Sequence, residues 1–264
     1  MPHEKRQFEN GEIYHIITRR IGNELLFGDI NDYYRGNFSI YEFNNDNPVE
    51  ISRRRKERAR FKQEYGGQPS FIFAEGCPPT LGSPLILIEP DRREKLVEVL
   101  AFCLMPNHIH LLLRQIKNNG ISKFMLKFGS GYSIYFKEKY QIKLKGHFFQ
   151  DRFSAVHIET DEQLMVVFVY IHTNPIALIE PGWKENGIVN PKKAIEFLED
   201  EYRWSSYWDY LGKKNFPSIT EAERDFLTEV MGGIQGCKQA VSDWIQYKGE
   251  IAELAKKFSK LSLE

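Results

Sequence analysis

The chain has 264 residues, enough for one large domain or two small ones, and 36 Lys and Arg balance 36 Asp and Glu to a formal net charge of zero. A hydrophobic content of 42% with 14% aromatics argues against a disordered chain, and the neutral balance argues against a uniformly basic nucleic-acid coat while leaving local basic patches open. Cys77, Cys103 and Cys237 are widely spaced with no C-x-x-C pair, which speaks against a disulfide framework or a zinc knuckle and suits a reducing, cytoplasmic setting. The polar start MPHEKRQFEN has no apolar signal region, and no apolar run approaches the ~18 residues of a membrane span, so no membrane segment is expected.

In chain order, residues 12–19 (EIYHIITR) alternate and are rich in β-branched side chains, which predicts a first strand. Its His15 is read as a structural histidine, with a site-facing role as the alternative. The spacing of Ile30, Tyr33, Tyr34 and Phe38 predicts a helix from Asp29 to Phe43 with Asp29 as N-cap, although Gly36 weakens it. Residues 44–90 read as an insertion. Within it, 51–65 (ISRRRKERARFKQEY) carries seven basic residues against two acidic ones. That segment is either a solvated charged surface or a set of phosphate contacts led by Arg53, Arg54 and Arg55.

Residues 95–104 and 109–115 read as two strands joined at a Pro-Asn corner into an antiparallel hairpin. Between them stands MPNHIH at 105–110. In a strand, His108 and His110 point to one face and Ile109 to the other, and two imidazoles on one pleat suit a divalent metal; the alternative is the polar edge of a buried strand. Apolar spacing from Ile121 to Phe136 predicts a helix over 121–140, with Lys123 and Lys127 on its other faces as candidate DNA contacts and Tyr132 and Tyr135 in the core. The turn GHFFQD at 146–151 places Phe148 and Phe149 either in the core or in stacking range of unpaired bases, with Gln150 near bases and Arg152 near phosphate. Residues 152–159 alternate as a further strand.

Thr160 and Gln163 form a capping-box pattern for a helix with buried Leu164, Val167, Phe168 and Ile171, which should end near Asn174 because Pro175 disfavours helical geometry before it. Tyr170 and Asn174 are four residues apart and share a face. His172 should face away from them, and Trp204 to Tyr207 read as packing residues. After Phe216, a helix from Ile219 capped by Ser218 or Thr220, a second near 236–247 and an amphipathic third over 249–264 are expected as a helical cap.

The segments MPNHIHLLL, GHFFQDRF, YIHTNP and YRWSSYWDYLG, in this order, closely resemble the single-tyrosine HUH transposases, and the REP-associated tyrosine transposases in particular. The resemblance covers about 12–19 and 95–212. It implies an α+β fold with a ferredoxin-like antiparallel sheet over about 1–215, interrupted by the 44–90 insertion, and leaves 216–264 as a helical extension. It further implies His108, His110 and Asn174 as ligands of Mg²⁺ or Mn²⁺, Tyr170 as nucleophile, and single-stranded DNA with a hairpin (a REP-like palindrome) as partner, cleaved and rejoined through a 5′-phosphotyrosine by a monomer or homodimer. Two other readings stay open at this level: a hairpin-DNA-binding protein of the same fold with weak or no catalysis, and a metal-dependent hydrolase of small phosphoesters. No glycine-rich phosphate loop or acidic triad is found.

Overall fold

Four alternating segments form strands β1 (Ile13–Arg19), β2 (Val97–Met105), β3 (His108–Gln115) and β4 (Ser154–Ile158) of one antiparallel sheet in the order β2-β3-β1-β4. The computed structural model describes residues 7–51, 56, 60, 91, 93–143, 146–150 and 153–261, and for 221–223 and 251–261 the backbone alone. Helix α1 (Ile30–Phe43) leads from β1 towards β2, and α2 (Gly120–Lys139) leads from β3 towards β4. Each connection steps over one strand, so the sheet consists of two interleaved split βαβ units and has the expected α+β, ferredoxin-like outline.

Period-two alternation divides the sheet's side chains between two cores. Ile16, Phe102, Ile109, Leu111 and Leu113 pack under α1 and α2 against Ile40, Phe124, Phe128 and Tyr132. Leu100, Cys103 and Leu112 point the other way, against Leu164, Phe168 and Ile171 of α3 (Asp161–Thr173). Full burial of each such side chain stabilises the fold by roughly 1.5–3 kcal/mol. His108 and His110 share the face of Leu112, so the strand that fills one core with Ile109, Leu111 and Leu113 delivers both imidazoles to α3 on the other side.

Local signals explain the helices. The Asp29 carboxylate accepts from the backbone N–H of Asn31 (2.9 Å) and Asp32 (3.2 Å), and Asp32 accepts in return from Asp29 N–H, a reciprocal cap for α1. Gly36, which weakened the helix on sequence, is needed by packing. A Cβ there would lie 2.7 Å from Phe27 Cε1 and 3.2 Å from Leu104 Cδ1. Gly36→Ala is therefore expected to destabilise the fold by about 1–3 kcal/mol despite its better helix propensity. Urea unfolding of the variant checks this; unchanged or raised stability contradicts it.

At α3, Thr160 Oγ1 accepts from Gln163 N–H (3.2 Å), but the Gln163 side chain accepts from Glu159 N–H (2.9 Å), one residue outside the expected box. The chain also does not leave helical geometry at Asn174, whose φ and ψ are −51° and −38°. It continues through Pro175 as a 3-10 turn, Asn174–Leu178. Pro175 sits at the start of a new helical segment, where its missing N–H costs nothing, and Pro175 and Ile176 are buried.

The insertion leaves and re-enters the fold at one point. Asn44 donates from Nδ2 to Val97 O (2.8 Å) and accepts at Oδ1 from Leu96 and Val97 N–H, while Asp46 N–H donates to Glu94 O (2.8 Å). Pinning the two ends together closes the intervening stretch of chain at a cost that grows only slowly with its length. The segment from Trp204 to Ser206 covers the outer edge of β2: Leu104 N–H donates to Trp204 O (2.9 Å) and Ser206 N–H to Phe102 O (3.0 Å). Its four-residue signature is thus an edge-strand seal, consistent with a packing role.

Between α3 and this seal lie two short helices, α4 (Trp183–Asn186) and α5 (Pro191–Glu196). After it come α6 (Tyr207–Tyr210), α7 (Pro217–Val230) and α8 (Gly233–Leu261). Two expectations are corrected here. Helix α7 begins at Pro217, which needs no N–H partner in a first turn, and Thr220 lies fully buried inside the helix and does not cap it. The two helices expected after Gly233 are one. Gly249 does not break α8; its missing Cβ admits Pro191, whose Cγ would stand 2.7 Å from one. Leu227, Cys237, Val241 and Ile245 join the same core as α3.

Candidate active site

The site begins on β3. His108 Nε2 and His110 Nε2 lie 3.0 Å apart. Two ligands held ~2.1 Å from a divalent ion at a right angle are ~3.0 Å apart, so the pair has the spacing of adjacent positions in an octahedral shell. Each ring is held by its other nitrogen. His108 Nδ1 is 2.6 Å from Asn107 Oδ1, an acceptor that places the proton on Nδ1 and the lone pair on Nε2. His110 Nδ1 is 3.0 Å from His15 Nε2. His15 stands diagonally across from His110 because β1 pairs Ile17 with His110 and His15 with Leu112. When His110 Nε2 serves as a ligand, its proton sits on Nδ1 and is donated to His15. His15 is therefore buried, as expected of a structural histidine, but what it holds is a site ring.

All three rings are neutral at physiological pH. Burial pushes His15 and His108 down to about 4 and His110 well below its ordinary value, and the Arg19 and Lys184 charges add to the effect on His108 and His110. His172, which faces away from the site and hydrogen-bonds Ser206 Oγ (2.8 Å), is pushed down to about 3, by burial first. An unfolded chain takes up protons on these rings near pH 6.5 and the native state does not. The stability they contribute is thus complete above pH 6.5 and drains as pH falls from about 6.5 towards 4. Urea midpoints should fall steeply between pH 7 and pH 5, and His172→Gln should flatten that fall; an unchanged slope contradicts it.

Helix α3 brings the second half. The Tyr170 ring meets His110 edge to face (centroids 5.6 Å, 86°) and His15 likewise (5.9 Å, 76°). Asn174 Nδ2 donates to the Tyr170 carbonyl (2.7 Å), which fixes the amide so that Oδ1 points elsewhere. It points at Lys184 of α4, whose Nζ donates to Asn174 Oδ1 (3.1 Å) and to the Tyr170 hydroxyl (3.2 Å). The residues of the sequence constellation, His108, His110, Tyr170 and Asn174, are therefore brought to one locality. The donor set fits a Mg²⁺ or Mn²⁺ ion: two neutral imidazole Nε2 atoms at the right separation, and an amide oxygen with one lone pair on Lys184 and one to spare. Among the described residues no group of three His, Cys, Asp or Glu could hold an ion.

Residues 87–174 match the family model described as Transposase IS200 like, a span that takes in the histidine strand and ends on Asn174. The match spans about a third of the chain. No curated protein matches the chain. A solved structure of a REP-associated tyrosine transposase bound to a REP hairpin resembles it at 12% identity and a TM-score of 0.40, over 83% of this chain and 90% of that one. Among the described residues no helix is long and apolar enough to cross a membrane.

Outside the central constellation, the structure places the DNA-facing expectations unevenly. Arg53, Arg54, Arg55 and Arg152 lie outside the described residues. Lys123 pairs with Asp46 (3.0 Å), and Lys127 directs its ammonium at the carbonyls of Asn45, Asp46 (3.0 Å) and Asn47 (2.8 Å). With three donors on three carbonyls, Lys127 clamps the foot of the insertion, on the side of the sheet opposite the histidines, and has none left for phosphate. Phe148 is core; Phe149 is half-buried against Phe128 and Phe148, and Gln150 is exposed with its N–H on Arg19 O (2.9 Å).

Two cations escaped the sequence reading. Arg19 stands opposite His108 in the β1–β3 register and acts electrostatically on both site histidines. Period two from His15 would have found it. Lys184 lies ten residues beyond Asn174 in a loop with no periodicity, and nothing in the spacing pointed to it.

Proposed function

We propose that the chain is a metal-dependent endonuclease and strand transferase for hairpin-bearing single-stranded DNA, acting through a 5′-phosphotyrosine on Tyr170. The observation that carries this is the meeting of the Tyr170 hydroxyl and Asn174 Oδ1 on one ammonium, beside two neutral histidines whose Nε2 atoms are 3.0 Å apart. A nucleophile, an anion-binding cation and a ligand set are what phosphodiester transfer needs, and a small-phosphoester hydrolase would not need the tyrosine. The sequence resemblance supports the hairpin as substrate, and the family match supports a transposase reaction.

His108, His110 and Asn174 would hold the ion, which supplies polarisation of a scissile phosphate oxygen when bound. The chain's own residues do the rest. Asn107 and His15 hold the imidazole tautomers that leave both Nε2 lone pairs free. His110 and His15 wall the Tyr170 ring so that its hydroxyl swings over a small arc. The hydroxyl loses its proton to solvent, Oη bonds to phosphorus, and the P–O3′ bond breaks to a free 3′-hydroxyl. The ester keeps the bond energy, so an incoming 3′-hydroxyl reseals DNA without a nucleotide cofactor. Because α3 packs on the sheet of its own chain, one chain suffices to complete the site.

The test is cleavage of a labelled single-stranded oligonucleotide bearing a hairpin, with Mn²⁺ or after chelation. The expected products are a free 3′-hydroxyl end and a 5′ end blocked by protein, formed only with the ion. Metal-independent cleavage, or a free 5′-phosphate, overturns the reading.

A further inference from the structure

Lys184 is exposed, yet two of its three ammonium protons are committed to the Tyr170 hydroxyl (3.2 Å) and Asn174 Oδ1 (3.1 Å). Its Nζ also lies 4.9 Å from the Tyr170 ring centroid, and its charge is felt by both His108 and His110. Among the described residues no carboxylate takes the third proton. That third proton is carried by an exposed ammonium 3.2 Å from the Tyr170 hydroxyl.

The residue is also held in place from a distance. Its neighbour Trp183 is buried and meets Trp244 of α8 edge to face (5.1 Å, 76°). Further along the same loop, Ile188 N–H donates to Lys248 O (3.2 Å), also on α8. Gly182 and Gly187 bracket the single turn of α4 at φ values of +85° and +76°. The loop carrying Lys184 is thus keyed to the C-terminal helix, which lies outside the segment that matches the family model.

We propose that Lys184 is a further catalytic residue of this site, which orients the Tyr170 hydroxyl and the Asn174 amide and gives its third proton to a non-bridging oxygen of the phosphate under attack, and that Trp244 is a positioning residue acting through it. This rests on the reading above. As Oη bonds to phosphorus and the P–O3′ bond breaks, the ammonium keeps its three protons and its hydrogen bonds to the phosphate strengthen with the developing charge. The phenol proton goes to solvent and the leaving 3′ oxygen takes one from it. A C-terminal helix packed into the core thereby acquires a part in the reaction.

The experiment measures the rate of covalent adduct formation at saturating hairpin DNA with Mn²⁺, together with DNA affinity. Lys184→Met is expected to slow the saturated rate by about 10²-fold, the usual loss on removing one donor to developing charge, with affinity within about threefold of wild type. Lys184→Arg, which keeps a charged donor, should recover the rate to within about tenfold. Trp244→Ala should lower the rate by about tenfold and Trp244→Phe by less, since the second keeps an aromatic edge against Trp183. Melting curves identify any variant that fails to fold, and Lys184→Met, at an exposed position, should melt as wild type does. A saturated rate for Lys184→Met within threefold of wild type overturns the proposal, as does a loss fully recovered by more DNA. Absence of any adduct from the wild-type protein overturns the reading beneath it instead.

Discussion

Tyr170→Phe is expected to abolish the covalent protein–DNA adduct and to slow strand cleavage by about 10⁴-fold or more, the scale on which removal of a nucleophile acts. The substitution deletes one oxygen. The ring keeps its edge-to-face contacts with His110 and His15, at 5.6 and 5.9 Å, and Asn174 keeps its bond to the residue-170 carbonyl, which belongs to the backbone. Stability and hairpin affinity should therefore match wild type, and the loss should appear in the rate alone. The check is a gel assay of adduct and cleaved strand at saturating DNA. A phenylalanine variant that still cleaves would move the nucleophile elsewhere.

His110→Ala is expected to remove metal-dependent cleavage and to weaken Mn²⁺ binding by at least about 10²-fold, more than the loss typical of altering a residue behind a ligand. It also has a structural cost that His108→Ala lacks. His110 is 1% exposed, and its Nδ1 is the partner of His15 Nε2. Truncation leaves His15 buried with an unmet nitrogen, which costs about 1–3 kcal/mol. His108 is half-buried and its Nδ1 meets Asn107, on the turn, so His108→Ala should lose activity at a smaller cost in stability. Isothermal titration with Mn²⁺ and urea unfolding separate the two effects, and hairpin affinity should be largely kept in both variants. If binding of the hairpin falls as far as cleavage does, the histidines are structural.

Much of this arrangement was legible because strict periodicities carry it. Period two placed His108 and His110 on one face, and the four-residue step placed Tyr170 and Asn174 on another that packs against it. The cap at Asp29 and the core faces of α2 and α3 followed from local patterns of the same kind. What was missed depends on contacts between distant segments. Gly36 reads as a helix breaker until Phe27 and Leu104 are seen against it. Gly249 reads as a boundary until Pro191 is seen beside it. Helix α3 ends at Thr173, as Pro175 led one to expect, and only the 3-10 turn that follows was unforeseen. Lys127, expected to contact DNA, proved to clamp three carbonyls, and Lys184, in a stretch without period, proved to bond both Tyr170 and Asn174.

The most direct measurement incubates the chain with Mn²⁺ and a hairpin-bearing oligonucleotide, isolates any denaturant-resistant adduct, digests it with protease and sequences the peptide that carries nucleotide. The expected result is a single modified peptide with the nucleotide on Tyr170, joined through its 5′-phosphate. A nucleotide on any other residue, or cleaved DNA with no adduct at all, would contradict a site built around Tyr170 and the His108–His110 pair.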